Sequence, residues 1–308
     1  MVEHFDDNKF KCTYFSLEMS KKTILARMLS LHLFDTYGVE LSPKEIFSRK
    51  KNYRLCDEYY ELVKESRPWL KKVTSIVTIY DKTCTASYLK NKLLAELRAT
   101  GELSVVGSGE DAEIYYKPFD PELVHNVVVD HIGLVKASAN KLKEEIDAVS
   151  RVLLQLRNSC GISPVVIMQI NRDSGNVERR KQGLNNLTLN DIKDSGNPAQ
   201  DCEVALSILN PYRDKLASYN KYDIKQLEDN FRVITVQKAR DGASSVELGV
   251  NFFGRIGYWH DLPKPEDIND FGKYTNPSYI LKAQTEEKEK DKEKDKAVDN
   301  STTFKFIM

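Results

Sequence analysis

The chain has 308 residues, 41% hydrophobic and 30% charged, with 46 basic and 46 acidic side chains. That length allows one large domain or two small ones, and the balanced charge advertises no nucleic-acid binder, though a local basic loop would suffice for one. Five scattered cysteines without C-x-x-C spacing point to neither a disulfide framework nor a zinc site but to reduced thiols. No apolar run approaches the length of a membrane span, and the start carries no signal-peptide pattern.

After a polar opening, Cys12–Leu17 reads as a strand that runs straight into Glu18-Met19-Ser20. Ile24, Leu25, Met28, Leu29 and Leu31 then fall near helical spacing, with Ser20 a suitable N-terminal cap. Residues 37–72 are polar and aromatic and read as helical pieces. Ser75–Tyr80 reads as the next strand, followed by a helix through Leu89, Leu93, Leu94 and Leu97 capped by Thr85 or Ser87. Leu103–Val106 and Ile114–Tyr116 form a hairpin around Gly107-Ser108-Gly109. That glycine pair lacks the Lys-Ser/Thr and the helix that a phosphate loop needs.

The centre of the sequence is Asn126–Val135. Three consecutive valines suit a strand buried on both faces, and the run ends in Asp130-His131. An unpartnered buried carboxylate costs several kcal/mol, so Asp130 belongs at the strand's C-terminal end, where open α/β sheets bind ligands. Lys141–Ser159 is an amphipathic helix, with Leu142, Ile146, Val149, Val152, Leu153 and Leu156 on one face and Gly161 as its stop. A further strand, Pro164–Ile170, follows with Gln169 near its end. The strand–helix–strand order implies a parallel sheet.

Asp173–Gly196 has no apolar period. It is polar and partly basic, with Arg179 and Arg180 in Glu178–Lys181, a composition suited to a phosphate backbone. Strands are expected at 202–209, 231–236 and 246–252, the last two joined across the Asp241-Gly242 turn. Lys238 and Arg240, two apart on an extended segment, face the same way and could clamp an anion. Glu286–Lys296 is charged at every position and reads as a solvated tail ending in an apolar tip, Phe304–Met308, that could dock a partner.

Taken in order, Tyr14–Ser20, Val127–Leu134, Gln169–Arg172, Asp191–Gly196 with Gln200-Asp201, and Lys238–Gly242 resemble the C-terminal helicase domain of DnaB-type replicative helicases. The resemblance spans roughly residues 12 to 260. It implies an α/β, RecA-like, mostly parallel sheet flanked by helices, with a C-terminal hairpin. The domain would cover residues 1–263, and 264–308 would form a charged tail. By resemblance, Glu18 activates the attacking water, Asp130 holds Mg²⁺, and Gln169 senses the γ-phosphate of ATP. Lys238 and Arg240 would reach a neighbouring subunit's nucleotide, a role that requires head-to-tail contacts such as those of a ring. Arg179, Arg180, Lys193, Asp194 and Gly196 would lie in the region that meets single-stranded DNA.

The sequence departs from that pattern in one respect: Gly-x-x-x-x-Gly-Lys-Ser/Thr occurs nowhere in it. The family's N-terminal primase-binding domain also has no counterpart. The resemblance therefore implies a cytoplasmic subunit of a hexameric, ATP- and Mg²⁺-dependent helicase, N-terminally incomplete or split, whose partners are single-stranded DNA, a primase or loader, or a separate chain carrying the P-loop. The competing readings are a catalytically inactive RecA-fold subunit, or a loading protein, that supplies Lys238 and Arg240 in trans; and, more distantly, a RecA-like recombinase.

Overall fold

The structure is a computed structural model that describes residues 9–48, 54–108, 113–170, 188–192 and 197–282. In chain order the elements begin with β1 (Phe10–Ser16), α1 (Lys21–Tyr37), α2 (Pro43–Ile46), α3 (Asp57–Glu65), α4 (Arg67–Ile76), β2 (Val77–Tyr80) and α5 (Ala86–Thr100). Next come β3 (Gly101–Val106), β4 (Glu113–Pro118), β5 (Val124–Asp130), α6 (Leu142–Cys160), β6 (Ser163–Val166), α7 (Asn197–Asp201) and β7 (Val204–Leu209). The last are β8 (Ser218–Tyr219), β9 (Tyr222–Asp223), α8 (Ile224–Leu227), β10 (Phe231–Ala239), β11 (Glu247–Phe253) and β12 (Tyr258–Asp261). The chain divides into two compact units: Met1–Leu29 with Leu55–Ser207 and Val236–Val246, and Ser30–Arg54 with Ile208–Thr235 and Glu247–Met308.

The first unit is built on a parallel sheet in the order β2-β1-β5-β6. Alternation along each strand splits its side chains between two faces. Phe10, Cys12 and Tyr14 of β1 join Val128, Ile24, Val73 and Ile76 on one side. Phe15, Val127 and Val129 meet α5 and α6 on the other, against Leu89, Leu93, Leu97, Ile146, Val149 and Leu156. Val127 and Val129 are fully buried, each contributing about 1.5–3 kcal/mol relative to an exposed side chain. The helix α6 buries the stripe read from the sequence, and Gly161 ends it in the left-handed region with φ 68°, its N–H on the Arg157 carbonyl. Thr85 caps α5 by accepting from the Tyr88 N–H.

One edge of this sheet is open. Among the described residues, β6 pairs only with β5, and its side chains Val165 and Ile167 are 53% and 42% exposed. Strands of a parallel sheet are ordinarily covered on both faces, and an aliphatic open edge invites another strand. The strand β7, at the end of the β12-β11-β10-β7 sheet, likewise exposes Val204 and Leu206. The hairpin β3–β4 forms as expected, in antiparallel register from Gly101↔Pro118 to Val106↔Glu113.

The second unit packs Ile224, Leu227, Phe231 and Val233 into one cluster and Phe34, Phe253, Tyr258 and Ile280 into another. The packed chain continues beyond the boundary expected at 263. Ile268 and Ile280 are buried, and Asn251 Nδ2 donates to the Tyr274 carbonyl at 2.6 Å. The expected charged run and its apolar tip lie outside the described residues.

Candidate functional site

Three parallel strands deliver their C-terminal ends to one place. The Leu17 N–H donates to the Asp130 carbonyl at 2.7 Å, binding the ends of β1 and β5. The Ile167 N–H donates to the Val129 carbonyl at 3.0 Å, and the Ile132 N–H to the Ile167 carbonyl at 3.1 Å, which carries the ladder past β6. Residues that follow these ends therefore emerge side by side. They enclose a cavity of about 360 Å³ lined by Glu18, His131, Gln169 and the apolar Ile132, Ile146 and Met168, together with Gly133 and Leu134.

Each polar member is held locally. The buried Ser16 hydroxyl donates to the Met19 carbonyl at 2.7 Å, closing the turn that presents Glu18. Ser20 accepts the Thr23 N–H at 3.3 Å at the start of α1, as its cap position implies, and Asp81 accepts the Lys21 N–H at 2.8 Å. Asp130 ends β5, and its Oδ2 accepts the Tyr14 hydroxyl at 2.7 Å. Burial and that carboxylate both push the Tyr14 hydroxyl's pKa up, so it remains a donor. Asp130 does not itself line the cavity. His131 is 7% exposed, and its Nε2 lies 3.2 Å from Gln169 Nε2.

Lys238 and Arg240 also stay outside that lining. Lys238 Nζ donates to the carbonyls of Ala199 and Gln200 at 3.0 and 2.8 Å, satisfying the end of α7. Arg240 donates its backbone N–H to the Glu203 carbonyl at 3.0 Å, and its guanidinium lies 3.9 Å from the Glu203 carboxylate, which Arg157 also approaches at 3.4 Å. Among the described residues that line the cavity there is one carboxylate and no lysine or arginine. Arg179, Arg180, Lys193, Asp194 and Gly196 lie outside the described residues.

Sequence reasoning found Glu18, Asp130 and Gln169 but missed Tyr14 and His131. Their partners sit across strands, and no single segment signals them.

The parallel sheet, with its helices and with carboxylate and amide side chains at its C-terminal edge, has the RecA-like α/β fold. Over residues 117–259 the chain matches the family of the DnaB-like helicase C-terminal domain. It is 22% identical over 232 residues to a probable replicative DNA helicase of Trieres chinensis, covering 75% of this chain and 42% of that relative. Two solved structures share the fold: an isolated ATPase domain (TM-score 0.59, 19% identity, 83% of this chain and 76% of that one) and a DnaB-like replicative helicase described with its primase interactions (TM-score 0.59, 18% identity, 83% and 53%). The chain thus spans less than half the length of the curated relative it matches.

Proposed function

We propose that this chain is the RecA-like core of an ATP-driven replicative DNA helicase that acts on single-stranded DNA as a subunit of a hexameric ring in the cytoplasm. Its phosphate-binding loop comes from a segment outside these residues. The observation that carries this reading is the cavity where Glu18 and Gln169 meet at the strand ends.

The residues present fit the hydrolytic end of a nucleotide site and not its cradle. Glu18 is exposed at the cavity and would accept the proton of a water attacking the terminal phosphate. Gln169 would meet an oxygen of that phosphate. Asp130 would hold Mg²⁺, which binds through few carboxylates and keeps several waters; this agrees with the lack of any cluster of metal-ligating side chains among the described residues. ATP would supply the phosphoryl group that these side chains orient. Neutralising its phosphates takes cations or a nest of backbone N–H groups, and the lining offers no lysine or arginine. The open β6 edge, with Val165 and Ile167 exposed, supports a further strand and its loop completing the sheet beside the cavity. Lys238 and Arg240 would serve a neighbouring subunit, which agrees with their absence from this cavity's lining. The residues 179–196 would meet DNA, and a primase or loader would dock on the assembled ring.

One observation favours a second reading. Lys238 and Arg240 are intact and a cation-free cavity accompanies them, as suits a non-catalytic subunit that acts only on its neighbour's site. Intact mass and peptide mapping of the assembly from its native source, with nucleotide binding measured alongside, separates the two. ATP binding together with a Gly-x-x-x-x-Gly-Lys-Ser/Thr peptide, upstream or in a co-purifying chain, supports the first reading. Ring incorporation without that peptide and without ATP affinity at this subunit supports the second.

A further inference from the structure

The contact between His131 and Gln169 joins two nitrogens, Nε2 to Nε2, at 3.2 Å. An amide nitrogen has no lone pair to offer. In that orientation Gln169 must donate, His131 Nε2 must accept, and the imidazole proton must sit on Nδ1. Yet Nδ1 is buried and has no hydrogen-bond partner among the described residues. Gly133 packs over that edge of the ring, where a Cβ would lie 3.2 Å from Nδ1 and 3.3 Å from Cε1. A proton on Nδ1 would therefore be a stranded N–H, and buried orphan N–H groups are rarer than under-satisfied acceptors.

Turning the Gln169 amide by half a turn leaves its shape unchanged and reverses the logic. Its Oε1 then accepts from Nε2–H, and Nδ1 is left as a bare lone pair, in the tautomer that a free histidine side chain prefers. The amide NH₂ is released from the ring and faces the cavity that Glu18, His131 and Gln169 share. We propose that His131 is a positioning residue, one that fixes Gln169 as a hydrogen-bond donor to the cavity, so that the group read there is an acceptor oxygen such as a phosphoryl oxygen. Only the name of that oxygen rests on the nucleotide reading above; the orientation of the amide does not. Glu18, an acceptor when ionised, cannot take over the donor's part.

The test uses the full 308-residue chain labelled with ¹⁵N-histidine, without nucleotide. Long-range ¹H–¹⁵N correlation separates its five histidines, and His131→Gln assigns the signal. A protonated Nε2 with an unprotonated Nδ1 at His131 is expected. A proton on Nδ1, alone or together with Nε2–H, overturns the proposal. Gln169→Glu keeps an acceptor for Nε2–H, whereas Gln169→Leu removes it. Exchange of the Nε2 proton with water is expected to be slow in the parent and in Gln169→Glu, and fast in Gln169→Leu. Equal exchange in all three overturns the proposal. These readouts come from the free chain, so a failure here leaves the helicase reading standing, and an inactive ATPase leaves the tautomer standing.

Discussion

Lys238 Nζ reaches the Gln200 carbonyl at 2.8 Å, so a side chain of β10 closes the end of the five-residue helix α7. That helix directly follows residues 193–196, the segment that resembles a DNA-contacting loop. Lys238→Met is expected to cost about 0.5–1.5 kcal/mol, since the lysine is only half-buried. It should also raise amide exchange locally over residues 197–202. Hydrogen exchange with mass spectrometry checks this, with Arg240→Met, which loses only an exposed ion pair, as the control.

The bond from Tyr14 to Asp130 is the support that sequence reading missed. Tyr14→Phe removes a donor from a carboxylate at the end of the central strand, and about 1–2 kcal/mol of stability should go with it. Asp130→Asn in the Tyr14→Phe background should then cost less than in the parent. Chemical denaturation of the double-mutant cycle measures the difference.

His125 titrates against burial. It is 5% exposed, it contacts the Thr13 hydroxyl at 2.9 Å, and desolvation lowers its pKa from the usual 6.5 despite the opposing pull of Glu96. The unfolded chain binds this proton more readily than the folded one. Stability from His125 is thus complete above pH 6.5 and falls as pH drops through the folded-state value. The melting temperature of the parent should decline through that window more steeply than that of His125→Gln.

The exposed face of β6 gives a prediction of opposite sign. Val165→Glu with Ile167→Glu should leave the stability of this chain within about 0.5 kcal/mol for each substitution, because both side chains already face water. Self-association should fall, because a charged open edge resists pairing. Sedimentation velocity at several concentrations reads this out. A large loss of stability would mean that the face is covered within the chain.

Much of the fold was legible because its strands announce themselves by composition and end in polar residues. The run Val127–Val129 gave β5 and placed Asp130 at its end, and the stripe from Ile146 to Leu156 gave α6 with its glycine stop. Boundaries slipped where two periods overlap. Ser75 and Ile76 read as strand but finish α4, because Val73 and Ile76 bury the same helical side against the sheet. The chain past 263 read as tail because Ile268 and Ile280 are isolated in polar sequence, and only tertiary packing reveals them. In the site, Glu18 and Gln169 could be read because strand ends converge in any parallel sheet. The pairs Tyr14–Asp130 and His131–Gln169 could not, since each depends on the register between separate strands.

The central claim is that Glu18 works on water beside a nucleotide. Its most direct test is single-stranded-DNA-stimulated ATP hydrolysis by the native assembly, with this chain unchanged and with Glu18→Gln. The account predicts stimulated hydrolysis that falls by about 10²–10⁴-fold in the variant, with assembly and DNA binding retained. Hydrolysis that is indifferent to the substitution would contradict it and leave Lys238 and Arg240 as this chain's contribution.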